Sequence, residues 1–429
     1  MPSMTDKTPH IAVLGAGITG VTVAYKLLDR GFDVTIIDRQ PYAAMETSFA
    51  NGGQLSASNA EVWNSWGTVL KGMKWLLRKD APLSMNLSPS WHKYSWLAEF
   101  VAAIPQHRKN TLDTVRMART ARGHLLDMAA RAGVEFDMEK RGILHVYKDA
   151  GEFEAGRRAT RLLAEGGLER REVSAAEIAQ IEPAMPDGLL GGFFTDSDFT
   201  GDIHKFSAGL IADFKARGGK LMMNTVVEAA KTDGTQATLD LYQGGARDRA
   251  VFDGVVVSAG IGSRGLARQF GDRVNIYPVK GYSITVNMHD EASQMAAPWV
   301  SLLDEKAKIV TSRLGADRFR IAGTAEFNGA NYDIRADRVK PLVDWCRVNF
   351  PSVSTEDVTP WAGLRPMMPN MVPRLGQGRA ANVFYNTGHG HLGWTLSAAT
   401  AETVSTAMAQ HYFGKARPSV TGGFTQAAA

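Results

Sequence analysis

The chain has 429 residues, 44% hydrophobic and 21% charged, which fits a globular protein of two or three domains and excludes a disordered chain. Its 43 glycines cluster in short loops rather than recurring every third residue, which excludes collagen. A net charge of +4 is too small to argue for nucleic acid, and the single cysteine, Cys346, excludes an intramolecular disulfide, a cysteine zinc cage and a cysteine-ligated iron–sulfur cluster. No apolar stretch approaches the roughly 18 residues that span a bilayer, and residues 1–10 lack the apolar segment of a secretory signal, so a cytoplasmic location is expected.

A strand is predicted over 11–14. Gly15-Ala16-Gly17-Ile18-Thr19-Gly20 then opens a helical pattern through Leu28, which Gly31 stops. A second apolar strand, 34–37, ends at Asp38 and Arg39, and the whole is the size of a parallel crossover unit. Gly15 permits the tight turn, Gly17 lets the backbone approach a pyrophosphate, and Gly20 lets helix and strand pack closely. The first helical N–H groups, those of Ile18 and Thr19 among them, face the phosphates, and Asp38 is placed to accept the ribose hydroxyls. Its charge would repel a 2′-phosphate, which argues against NADP.

A small polar loop follows, Thr47-Ser48-Phe49-Ala50-Asn51-Gly52-Gly53-Gln54, with Leu55 after it. From Trp63 to Trp96 the chain holds five of its nine tryptophans, interleaved with Lys71, Lys74, Arg78, Lys79 and Lys93. Two readings compete for residues 63–96. One is a peripheral surface resting on the inner face of an anionic membrane; the other is an aromatic core beneath a solvated lysine face. A long amphipathic helix is predicted over 112–132, then short strands over 142–147 and 190–195. After Asp198-Phe199-Thr200-Gly201-Asp202 the pattern returns to a helix over 206–217 and a strand over 220–227, with His204 at the helix start a candidate site residue. Val255-Val256-Val257 reads as a buried parallel strand closing at Gly260. Strands over 282–286, 309–313 and 318–323 and a helix over 338–349 come next, followed by a strand over 382–386, a glycine-rich loop and a last helix. Residues after Gly414 read as a loose tail.

That last loop separates FAD from NAD. Gly388-His389-Gly390-His391-Leu392-Gly393-Trp394-Thr395 precedes a helix and exposes backbone donors, placing positive potential beside a ring that becomes anionic on reduction, as flavin does. NAD enzymes need no second loop of this kind. A metal pair at His389 and His391 is the competing reading; no further ligand cluster accompanies them, so no metal is expected. Nucleotide elements at both ends and in the middle, with antiparallel-looking segments between, predict a discontinuous two-domain chain.

The glycine motif, the loop 47–54, Pro278-Val279-Lys280-Gly281-Tyr282 and Trp361-Ala362-Gly363-Leu364-Arg365-Pro366 together resemble the D-amino acid oxidase superfamily over about residues 10–415. Within it the residues are most similar to the bacterial D-amino acid dehydrogenase (small subunit) group, with glyphosate oxidoreductase-like amine oxidases next. The resemblance implies an α/β fold with a Rossmann-like FAD-binding domain (1–60, 200–275 and 360–429) and a discontinuous α+β substrate domain on a mixed or antiparallel sheet (61–199 and 276–359). It implies that Thr47, Ser48, Asn51, Gly52, Gly53, Gln54 and Leu55 line the flavin and pyrophosphate, with Arg39, Val227 and Gly260 toward the adenosine end. Arg365 would clamp a substrate carboxylate, to which a planar guanidinium is matched. Tyr282 would add a hydroxyl, its alternative being a packed strand aromatic. Lys280 is either a group near the flavin or an ion-pair partner.

The implied reaction is oxidative deamination of a D-amino acid by hydride transfer to the flavin, giving a 2-oxo acid and ammonia, with electrons passing to a quinone or another acceptor. Oxidation of an N-substituted glycine or a role as an FAD-carrying electron-relay subunit are the alternatives. FAD should be non-covalent, because Cys346 sits in an amphipathic helix far from any flavin loop. The family usually reads Pro-Asp-Gly-x-Pro after the arginine, whereas this chain has Pro369-Asn370-Met371-Val372-Pro373-Arg374. That departure is expected beside the carboxylate clamp, where it would alter substrate choice.

Overall fold

Three short runs of branched apolar residues, His10–Leu14, Asp33–Ile37 and Gly254–Val257, are buried on both faces, as the centre of a parallel sheet requires. The computed structural model describes residues 8–76 and 82–414; Arg78, Lys79 and the expected tail after Gly414 lie outside them. In the six-stranded sheet the order is Arg374–Gln377, Val383–Thr387, Gly254–Val257, His10–Leu14, Asp33–Ile37, Lys220–Met222. All neighbours are parallel except the edge strand Arg374–Gln377. Helices Ile18–Asp29, His107–Ala132, Ile203–Ala216 and Gly393–Phe413 bury one face of it. An antiparallel three-stranded sheet, Thr225–Thr232, Ala237–Gln243 and Ala246–Phe252, covers the other. The expected strand over 220–227 is therefore two strands: Asn224 takes a left-handed φ of 54° and breaks it.

The second large sheet has nine strands. Eight run in the order Val358–Met367, Tyr277–Asn287, Arg318–Phe327, Ile309–Arg313, Ser301–Asp304, Ile143–Tyr147, Gly191–Thr195, Arg171–Ser174, and Leu83–Met85 pairs beside Arg318–Phe327. Most pairs are antiparallel, but Ser301–Asp304 lies parallel to Ile143–Tyr147, so the sheet is mixed. Helix Ala336–Asn349 packs its Leu342 and Cys346 on one face, against Ile284, Val286, Phe319 and Ile321. The opposite face fronts the cavity described below. Strand Val358–Met367 belongs to this sheet, so the chain returns to the six-stranded sheet only with Arg374–Gln377, later than the boundary at 360 expected from sequence.

The tryptophan-rich stretch is partly buried and partly exposed. Trp96 is core, its Nε1 donating to the Met367 carbonyl at 2.8 Å, and Trp63 and Trp75 line the cavity. Trp66 and Trp91 are 61% and 85% exposed, and helix Trp66–Trp75 buries no residue. Among the described residues no helix is long and apolar enough to cross a membrane.

Candidate active site

One cavity of about 1530 Å³ runs between the two large sheets, larger than the usual ~300–1,000 Å³ ligand site. At its nucleotide end the three motif glycines do different work. Gly15 has φ +111°, and a Cβ there would lie 2.5 Å from the Ser258 carbonyl oxygen. A Cβ on Gly20 would lie 1.8 Å from the Gly15 oxygen, so Gly20 serves helix–loop packing and does not line the cavity. Gly17 is extended and lines the cavity, and a methyl there would meet only Ser48 Oγ, at 3.5 Å. The Ile18 amide donates to Ser48 Oγ at 3.0 Å. Asp38 accepts from the Ala16 amide at 2.6 Å and the Gln40 amide at 2.8 Å. Burial pushes its carboxyl above the usual range while those amides pull it back. Ala16, Thr19, Arg39, Val227 and Gly260 line the cavity, as do Ser258 and Ala259.

The loop 47–54 is tied to the large sheet: Thr47 Oγ1 donates to the Leu364 carbonyl at 2.8 Å, and Gln54 Nε2 to Ser301 Oγ at 2.8 Å. Asn51 Oδ1 accepts from the Gly53 amide at 2.9 Å, which sets the turn. Leu55, by contrast, points into the hydrophobic core beneath the loop and does not line the cavity. From the far side, residues 388–395 all contribute to the lining. Gly388 and Gly390 take φ of 79° and 59°. Thr395 Oγ1 accepts from the Ser56 amide at 3.1 Å, closing that end against the chain after the polar loop.

His389 and His391 are engaged separately. His389 Nε2 meets Thr400 Oγ1 at 2.9 Å, and burial lowers its pKa to about 3. The His391 ring stacks on Trp63 with centroids 4.5 Å apart, and burial together with the nearby Arg365 charge lowers its pKa to about 4. Both are neutral at neutral pH. Among the described residues no group of three or more His, Cys, Asp or Glu side chains is placed to hold a metal ion.

Arg365 lines the cavity as a charge without a carboxylate partner among the described residues. Its guanidinium crosses the neighbouring strand at Gly281, where a Cβ would lie 2.2 Å from Nη2, and Nη1 donates to the Thr324 carbonyl at 2.9 Å. Among the described residues no carboxylate pairs with it, and burial lowers its pKa to about 10, so it stays a cation. Strand alternation explains this placement and also corrects two expectations. Register puts Val279 opposite Arg365 and Gly281 opposite Gly363, all on the cavity face, while Tyr282 and Lys280 fall on the other. Tyr282, 1% exposed, donates to Glu326 Oε2 at 2.6 Å within the core under helix Ala336–Asn349, so its hydroxyl is unavailable to a ligand. Lys280 Nζ is buried 3.4 Å from the same carboxylate.

His204 does not line the cavity. Its helix starts because Asp202 accepts from the His204 and Lys205 amides at 2.9 and 3.1 Å, and its ring packs 4.9 Å from Phe49. The departure loop also misses the cavity. Asn370 Oδ1 accepts from the Val372 amide, Met371 is buried beside Trp96 and Met367, and Arg374 covers the Tyr385 ring at 5.1 Å. Met371 does take the left-handed φ (63°) that a glycine would occupy freely. Sequence reasoning missed His145, Glu305 and Lys308 on the cavity wall, because only pairing register brings the strand of His145 and the turn 305–308 into the sheet that fronts the cavity.

The geometry is thus a dinucleotide cradle opening onto a half-buried arginine with no carboxylate partner among the described residues. A family model described as DAO, FAD dependent oxidoreductase, matches residues 10–407. The chain is 59% identical over 401 residues to D-amino acid dehydrogenase 3 of Mesorhizobium japonicum, covering 94% of this chain and 97% of that one. It is 40% identical over 404 residues to D-amino acid dehydrogenase of Dechloromonas aromatica, covering 92% and 96%. Its fold is similar to that of glycine oxidase from Geobacillus kaustophilus, with a TM-score of 0.73 at 18% identity over 95% of this chain and 96% of that one. L-proline dehydrogenase from P. horikoshii gives 0.71 at 14% over 96% and 95%. Cradle, arginine and likenesses agree: the chain belongs to the FAD-dependent oxidoreductase family, with FAD as its cofactor.

Proposed function

We propose that the chain is a D-amino acid dehydrogenase, converting a D-amino acid to its 2-oxo acid and ammonia and delivering the electrons to an acceptor such as a quinone. Arg365 carries this reading: a half-buried cation with no carboxylate of its own is stabilised by a substrate that brings one. Bound FAD would supply the two-electron oxidant. Gly15, Gly17, Asp38, Ser48, the loop 51–54 and residues 388–395 would hold it. Arg365 and the backbone around Gly281 would fix the carboxylate, and so fix which substituent of the α-carbon faces the cofactor. Neutral His391 and Trp63 would close the site without adding charge. The six-stranded sheet with its helices is read as the cofactor domain and the nine-stranded sheet as the substrate domain. For the acceptor, we read the exposed Trp66, Leu70, Met73, Leu87 and Trp91 as a surface that meets a membrane.

The test is anaerobic bleaching of the purified flavoprotein by D-amino acids, L-amino acids and N-alkyl glycines. D-amino acids are expected to reduce the flavin far faster than their enantiomers. Equal rates for both enantiomers, or reduction by N-alkyl glycines only, would move the assignment to amine oxidation.

A further inference from the structure

We propose that Thr324 is a positioning residue for the carboxylate clamp: as an extra residue in its strand it turns Glu326 away from Arg365 and gives the guanidinium a backbone carbonyl in place of that acid. The inference rests on reading Arg365 as the group that binds the substrate carboxylate, and it explains why that charge is left for the substrate.

Register supplies the first observation. Strands Tyr277–Asn287 and Arg318–Phe327 pair regularly from Asn287 and Arg318 to Tyr282 and Gly323, and the next pair is Lys280 with Glu326. Two residues, Thr324 and Ala325, therefore stand opposite Gly281 alone, which is a β-bulge. Both line the cavity, as Gly281 and Arg365 do. The strand also changes its other neighbour here, from Ile309–Arg313 as far as Gly323 to Leu83–Met85 from Ala325 onward.

The extra residue reverses the faces of the strand beyond it. Phe319 and Ile321 pack under helix Ala336–Asn349, yet Ala325 and Phe327, which continue the same alternation, join the opposite cluster with Trp96 and Met367. In an unbroken register Glu326 would stand opposite Val279, whose other neighbour is Arg365, and on the same face. Arg365 reaches across Gly281 as far as strand Arg318–Phe327, so it would meet a carboxylate there. Instead Glu326 is buried on the core face. Tyr282 donates to it at 2.6 Å, and Lys280 Nζ and Arg335 Nη1 lie 3.4 and 3.2 Å away.

The bulge is held against a local preference. Thr324 takes a left-handed φ of 60°, which a β-branched residue rarely adopts. Its side chain does not account for this: Oγ1 is buried and, among the described residues, has no hydrogen-bond partner. What the conformation delivers is the carbonyl, which accepts from Arg365 Nη1 at 2.9 Å. A neutral carbonyl orients the guanidinium and leaves its positive charge unbalanced, whereas a carboxylate in that place would compete with the one the substrate brings.

The test follows pentanoate, a carboxylate that has no amine to lose, by the shift in flavin absorption of the holoenzyme. Deleting Thr324 should restore regular pairing, bring Glu326 round to Arg365 and raise the Kd for pentanoate about tenfold or more. Adding Glu326→Gln to the deletion should recover most of that loss, which a merely disrupted strand would not allow. In the full-length chain Glu326→Gln should leave the Kd within about threefold, because the carboxylate already faces away. Thr324→Gly, which relieves the left-handed backbone, should raise the melting temperature of the cofactor-free protein. No pentanoate binding by the unaltered enzyme, an unchanged Kd in the deletion, or no recovery with Glu326→Gln overturns the inference. So does pentanoate binding about tenfold tighter to full-length Glu326→Gln, or a lower melting temperature for Thr324→Gly, and these two decide it should the deletion not fold. Anaerobic reduction by D-alanine is read alongside. If it fails to bleach the flavin while the variants behave as expected, the deamination reading falls and the positioning role stands.

Discussion

Arg365 stays charged in a cavity wall that, among the described residues, offers it a backbone carbonyl and no acid. Arg365→Lys should raise KM for carboxylated substrates and lower kcat, reducing kcat/KM roughly 10- to 100-fold through loss of the two-pronged contact. Unchanged kinetics with flavin still bound would make this arginine structural. Tyr282 gives the opposite expectation. Because its hydroxyl is spent on Glu326 in the core, Tyr282→Phe should leave kcat/KM within about threefold and cost about 1–2 kcal/mol of stability in a urea titration. A tenfold rise in KM would mean that the hydroxyl reaches the substrate.

The glycine-rich turn and its helix act as one element in which neighbouring glycines have separable duties. A methyl on Gly20 strikes the Gly15 carbonyl, so Gly20→Ala must move the helix off the sheet and should lower the melting temperature of the cofactor-free protein. Gly17 already has an extended backbone and open space before it, so Gly17→Ala should leave that melting temperature unchanged. It should instead weaken FAD, seen as a rise in Kd by flavin-fluorescence titration. Equal melting losses in both variants would show that Gly17 is also a packing residue. The large sheet follows the same logic: alternation sends Arg365 to the cavity and Tyr282 to the core from adjacent strands.

Across the whole molecule, buried neutral imidazoles make stability depend on pH. His389 and His145 are lowered to about 3 and about 4 by burial, against ~6.5 in an unfolded chain, so the unfolded state binds protons that the folded state refuses. Stability is then complete above pH ~6.5 and falls as acid is added, by about 2 kcal/mol for each imidazole at pH 5. Glu305, held far below the usual carboxylate range by Lys308 and His145, contributes only below the unfolded value of ~4.3 and does not blur this window. Urea midpoints at pH 7, 6 and 5 should fall in order, and His389→Asn should flatten part of the slope; a flat profile would mean the imidazoles are protonated inside. At the outer surface, the exposed aromatics on helix Trp66–Trp75 and at Trp91 predict pelleting with anionic vesicles at low salt. Changing Trp66 and Trp91 to Ser should abolish it, and no pelleting of the unaltered protein would remove the membrane surface from the functional reading.

Local sequence determined what local physics controls. Gly15, Gly17 and Gly20 between two apolar strands specify a turn and helix start whatever else the chain does, and Gly388 and Gly390 before the last helix mark a second loop by the same rule. The mixed sheet and the guanidinium of Arg365 were legible from the resemblance those motifs carry. Tertiary structure decided which way side chains point. A strand places alternate residues on opposite faces, and only its pairing register and the helix packed on one side settle which face is wet. That is why Tyr282 went to the core, why His145 joined Glu305 and Lys308 on the cavity wall from a distant segment, and why Met371 and Arg374, a few residues from Arg365 in the chain, do not line the site. His204 shows the same limit: Asp202 set the start of its helix from sequence, but the direction of the imidazole depended on the packing of Phe49, which lies 155 residues earlier (204 − 49).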